Sequence, residues 1–163
     1  MNAHGAFHDA LKGADFITTT YLNDLNDADL LVRPVPNANH IAWQLGHLIV
    51  AENGMLSEVC PGAMPALPAG FREKHTKETA GSDDPAAFLS KDEYLRLYRE
   101  QRAATLKALD SLSEADLDRP APESMKSFVA TVGGIFNTQA LHWLMHAGQW
   151  VIVRRKLGHK PIF

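Results

Sequence analysis

Two histidines, His142 and His146, stand four residues apart in the stretch LHWLMHAGQW, residues 141–150, which carries no Asp, Glu, Lys or Arg. An α-helix advances 100° per residue, so side chains four apart lie about 40° apart on one face. Two imidazoles in that relation can each bring a nitrogen to about 2.0–2.1 Å from one Zn²⁺-like ion. The spacing also suits two core histidines bonded to carbonyls or hydroxyls, because so short a pattern arises by chance. Either way the rings are neutral, since burial disfavours imidazolium. Ile135, Gln139, Met145, Gln149 and Val153 fall on the same face. That face is apolar at its ends and polar at its centre.

A metal site needs at least one further donor. The remaining histidines are His4, His8, His40, His47, His75 and His159. His47 sits mid-helix in AWQLGHLIV, at the edge of an apolar stripe and next to Gly46, whose small size permits close approach. Taken alone, it suits a partly exposed surface position equally well. His40 lies seven residues earlier, about 10.5 Å along a helix axis, so the two cannot share an ion on an unbroken helix. His4 and His8 form a rival pair beside Gly5, at a chain end where rigid ligation is hard to hold. They are expected in solvent, as are His75, in a segment rich in Pro and Gly, and His159, beyond the last helix. Glu52 projects from the apolar stripe near His47, an unusual place for a carboxylate. It lies about 140° round the helix from His47 and is read as a packing or ion-pair group. No separate general base is evident.

Four helical patterns have to position these side chains. The first covers about residues 7–25, with Phe7, Leu11, Ala14, Thr18, Tyr21 and Leu25 at helical spacing. The second covers about 39–59, with Ile41, Leu45, Leu48, Leu56 and Val59 as its stripe. The third covers about 90–112. It opens on SKDE, a capping box in which Ser90 caps and Glu93 bonds back. Leu95, Tyr98, Leu106 and Leu109 face inward. The fourth covers about 131–157, with Gly158 placed as its terminator. NDADLLVRPVPNAN and SEADLDRPAPES read as connections. Residues 61–89 form a long link between the second and third helices, of the kind that serves as a lid or cover or is disordered. The expectation is an all-α four-helix bundle, a single domain over residues 1–163.

The totals narrow the function. The net charge of -3 opposes nonspecific binding to nucleic acid or anionic membrane, both of which need basic patches. Cys60 is the sole cysteine, so no intrachain disulfide is possible, and a reducing cytoplasm fits. The start MNAHGAFHDALKGADF lacks a basic head followed by an apolar core, so no signal peptide is expected. Residues 127–153 lack Asp, Glu, Lys and Arg, yet carry Asn137, Gln139, His142, His146 and Gln149, each costly in lipid. That segment reads as a helix covered by protein, not as a membrane span.

Four stretches in order resemble the DinB-like superfamily of metal-binding four-helix bundles. They are NHIAWQLGHL (39–48), SEADLDRPAP (113–122), HWLMHAGQ (142–149) and VRRKLGHKPIF (153–163). The resemblance covers nearly the whole chain. It implies a divalent metal, nickel or zinc, held by one histidine of the second helix and the pair on the fourth. By position these are His47, His142 and His146. The Gly148-Gln149 that follows is also similar to the family pattern, and Gln149 would orient a ligand or substrate. Trp43 and Gln139 join it as substrate-binding candidates from helical direction. Characterised relatives move low-molecular-weight thiols such as bacillithiol or mycothiol onto electrophiles, and one is a thiol-dependent isomerase. The resemblance therefore implies a metal-dependent transferase or isomerase acting on a small electrophile, with a low-molecular-weight thiol or metal-activated water. A different class is a non-catalytic metal-binding module in stress response or sensing. A homodimer is expected, because Phe136, Leu141, Trp143, Leu144 and Val151 lie away from the histidine face of the last helix and one bundle covers only part of it. The rival cover for that face is the 61–89 segment.

Overall fold

The computed structural model describes residues 2–163 and is all-helical. Helix α1 spans Ala3–Leu22, α2 Ile41–Val59, α3 Lys91–Ser111, α4 Glu114–Leu117 and α5 Val132–Lys156. No strand occurs among the described residues; one isolated bridge joins Pro120 and Thr131. The four long helices form the bundle, with α3 and α5 each packed against both α1 and α2. None of these helices is long and apolar enough to cross a membrane.

Local chemistry sets the helix ends. Helix α1 begins earlier than its apolar spacing suggests, because the Asn2 side chain accepts from Gly5 N at 2.9 Å. Ser90 and Glu93 form the expected reciprocal box at the start of α3. Ser113 and Asp116 form a second one and create α4 inside the stretch read as a plain connection. Gly158 follows α5 with φ +85. Its N–H donates to Arg155 O at 3.0 Å and the next donates to Arg154 O at 2.9 Å. This is a Schellman ending, which needs a residue without a Cβ penalty at positive φ.

Leu11, Leu45, Leu48, Ile49, Phe136, Trp143 and Trp150 are among the fully buried side chains of the core. One polar network runs through it and touches all four long helices. Glu52 of α2 accepts from Thr105 Oγ1 at 2.6 Å and from Trp143 Nε1 at 2.8 Å. Arg102 of α3 stands 3.3 Å from Glu52 and 3.0 Å from Asp15 of α1. Tyr98 donates to Asp15. The Arg102 nitrogens satisfy charge by proximity but not hydrogen-bond alignment. Glu52 thus has the ion-pair role its position in the stripe suggested. A buried pair of this kind fixes register more than it adds stability.

The segment between α2 and α3 is built, not loose. It contains short 3₁₀ turns at Glu73–His75, Lys77–Thr79 and Pro85–Ala87. Asn53 Nδ2 donates to Pro65 O at 2.8 Å. Arg33 donates to Ala80 O and Ser82 O at 3.0 and 3.2 Å. The segment packs on α2 and α3, so it does not serve as the cover for the outer face of α5. Part of that face needs no cover. Phe136 and Trp143, which the dimer expectation counted as outward, are buried within the chain. Leu141, Met145 and Ile152 remain exposed.

Candidate metal centre

Helix α2 delivers His47 and helix α5 delivers His142 and His146 to one point between them. A ligand nitrogen from each of the three lies within 4.8 Å of the other two. The ring centroids form a near-equilateral triangle: 5.2 Å for His47–His142, 5.4 Å for His47–His146 and 4.9 Å for His142–His146. His146 is buried, and His47 and His142 are half-buried. The cluster contains no carboxylate or thiol.

Each ring is oriented by a different neighbour. His47 lies flat on the Trp43 indole, with centroids 5.0 Å apart and planes 6° from parallel. The Trp43 N–H donates to Thr76 O at 3.1 Å, so the 61–89 segment holds the indole that holds the imidazole. His146 is set by Gln44. The Gln44 amide nitrogen donates to Asn39 O at 2.6 Å and to Gln149 Oε1 at 3.1 Å. Its Oε1 therefore accepts, from Trp150 Nε1 at 2.8 Å and from His146 Nδ1 at 2.9 Å. This places the His146 proton on Nδ1 and leaves Nε2 as the nitrogen with a free lone pair. Among the described residues, His47 and His142 make no side-chain hydrogen bond to protein.

The electrostatics keep the rings deprotonated. Burial, reinforced by the neighbouring His47, lowers the His142 pKa to about 4. Burial, with His142 and His47 adding to it, lowers His146 to about 4. Burial alone lowers His47. At neutral pH three imidazoles thus converge with no proton to displace, the state a cation requires of its ligands. The donor set fits a borderline divalent ion such as zinc or nickel and leaves room for further ligands.

The other candidate residues sit elsewhere. His75, expected in solvent, is buried. Its Nδ1–H donates to Phe71 O at 2.8 Å, and its Nε2 accepts from Tyr94 OH at 2.8 Å. The ring lies directly on Gly46, where any Cβ would collide with it. Gly46 does permit a close approach, but to the overlying segment. His40 caps α2: its Nδ1 accepts from Trp43 N at 3.1 Å, and its Nε2–H donates to Ser82 O at 3.1 Å. His4 and His8 are tied down too, His4 to Glu114 at 2.8 Å and Leu112 O at 2.7 Å, and His8 to Asp110 at 2.7 Å. His159 contacts Asp24 at 3.0 Å. Trp43 and Gln139 are buried, and Trp43 supports the site by stacking on His47. Gln139 donates to Ile135 O at 3.0 Å while its own Oε1 has no partner. Gln149 is half-buried and reaches the site only through Gln44. Sequence reasoning missed Gln44. Its signal was faint: a buried amide on the turn before His47, on the helix that faces α5.

The comparisons agree with this architecture. The sequence pattern described as the DinB superfamily matches residues 15–150. A crystal structure of a conserved protein from Enterococcus faecalis superposes with a TM-score of 0.70. The two share 17% sequence identity over 97% of this chain and 99% of that one, a likeness of fold. No curated protein matches the chain.

Proposed function

The chain belongs to the DinB superfamily, and on that premise we propose that it binds one divalent metal ion, nickel or zinc, through His47, His142 and His146. We read the bound form as a transferase or isomerase that acts on a small electrophile with a low-molecular-weight thiol or water. The observation that carries this reading is the convergence of three imidazoles from two helices within 4.8 Å, with no carboxylate or thiol among them. A divalent ion there supplies a Lewis-acidic position with coordination sites left over for a thiol or water. The chain's own residues do the positioning. Gln44 holds the His146 proton on Nδ1. Trp43 fixes the plane of His47. Burial keeps all three rings neutral. Glu52 has its oxygens occupied by Thr105, Trp143 and Arg102, so it is not available as a general base.

The test uses protein purified without a histidine tag. Elemental analysis and calorimetry with nickel, zinc and iron should give about one ion per chain, lost in His47→Ala and His142→Ala. Loaded protein is then offered bacillithiol, mycothiol, glutathione or water with a panel of electrophiles. No metal uptake would remove the whole reading. Uptake without turnover above metal-free protein in any combination would remove the enzymatic part.

A further inference from the structure

A cleft of about 530 Å³ opens beside His142, walled by Met55, Phe128, Thr138, Leu141 and Met145. It is continuous with the histidine cluster, because His142 belongs to both. The volume lies in the range of small-molecule sites, roughly 300–1,000 Å³. No Lys, Arg, Asp or Glu lines it. Phe128, Leu141 and Met145 are 56%, 57% and 59% exposed, an unusual cost for three large apolar side chains beside one another. One wall is fixed from inside: the buried Gln139 Nε2 donates to Met55 Sδ at 3.4 Å. The two thioethers give an adaptable apolar lining.

We propose that this cleft is a binding site for the alkyl or aryl part of a small uncharged ligand, whose polar end faces His142. The occupant follows from the walls. In the metal-free chain an anionic or phosphorylated ligand would meet no cation in the cleft, and its desolvation would go uncompensated. The shared histidine favours a small molecule over a second copy of the chain. The inference rests on the metal-site reading only for the orientation of the ligand, not for its binding.

The full chain labelled with ¹³C-methyl methionine tests it in the metal-free state, where a carboxylate has no ion to bind. Benzyl alcohol should shift the Met55 and Met145 methyl signals saturably and leave Met64 and Met125 in place. Benzoate, the anionic counterpart, should need at least tenfold more. Met145→Glu, or Leu141→Glu if the first does not fold, should weaken benzyl alcohol at least tenfold. Three results would overturn the proposal: no selective shift, equal affinity for the two probes, or Met145 signals that move with protein concentration as sedimentation shows a dimer. Zinc added without probe reports on the histidine cluster separately, through its ring signals. A failure there leaves the cleft result standing.

Discussion

Gln44→Leu isolates the part of the site that orients a ligand. Gln44 Oε1 accepts two buried donors, Trp150 Nε1 at 2.8 Å and His146 Nδ1 at 2.9 Å. Leucine keeps the shape and removes the acceptor. In metal-free protein the His146 ring can move its proton to Nε2, so the Trp150 N–H is the one donor orphaned, while the acceptors Asn39 O and Gln149 Oε1 lose the Gln44 amide. A buried orphan donor costs about 1–3 kcal/mol. At about 2–4 °C per kcal/mol for a chain of this length, the melting temperature should fall by roughly 2–12 °C. With metal bound through Nε2 the proton has no such escape. Loss of the partner that orients a ligating histidine typically costs roughly 10–100-fold in affinity. Competition titration with a zinc chelator should therefore show that loss in Gln44→Leu. Gln44→Glu, which retains an acceptor for both N–H groups, should keep zinc affinity within a few-fold of the parent. If Gln44→Leu lowers the melting temperature yet binds zinc as tightly as the parent, the amide packs but does not orient, and the tautomer argument is wrong.

Gly46→Ala should destabilise by about 1–3 kcal/mol in urea unfolding, because the new methyl meets the His75 ring and one of the two must shift. Exchange of amides in residues 71–82 should quicken in the same variant. Glu52→Ala should cost about 3–5 kcal/mol, since it leaves Arg102 buried with only Asp15 as counter-charge. Chemical denaturation reads that loss. The pH dependence follows from the lowered histidines. His142 and His146 fall from the ordinary 6.5 to about 4 in the folded chain, so the unfolded chain binds more protons between those values. Metal-free protein should thus hold this stability above pH 6.5 and lose it as pH falls toward 4. Zinc affinity should persist down to mildly acidic pH, and both are checked by calorimetry across pH 8 to 4.5.

Much of the bundle is local in origin and so legible in the sequence. The capping box at Ser90, the glycine ending at Gly158 and the stripe of α2 depend on neighbours within one or two turns. The facing of His142 and His146 is equally local, set by 100° per residue. Most features that failed were long-range. His75 looked solvated because nothing nearby marks it as buried, yet α2 and Tyr94 enclose it. Helix α4 was hidden in a Pro-containing stretch because a four-residue helix shows no apolar period. Phe136 and Trp143 counted as outward until α1, α2 and α3 were placed around α5.

The sequence by itself determined the four long helices, the caps at Ser90 and Gly158 and the direction of the paired imidazoles, because each depends on backbone periodicity and adjacent side chains. Only the tertiary structure decided which distant groups meet them. It brought Gln44 to His146 across 102 positions, laid Trp43 on His47 under the 61–89 segment, and closed Glu52 inside a network of four helices. The reason is physical: burial lowers the His142 and His146 pKa values and the Gln44 acceptor fixes the His146 proton on Nδ1, and both are properties of packed helices, not of any one of them.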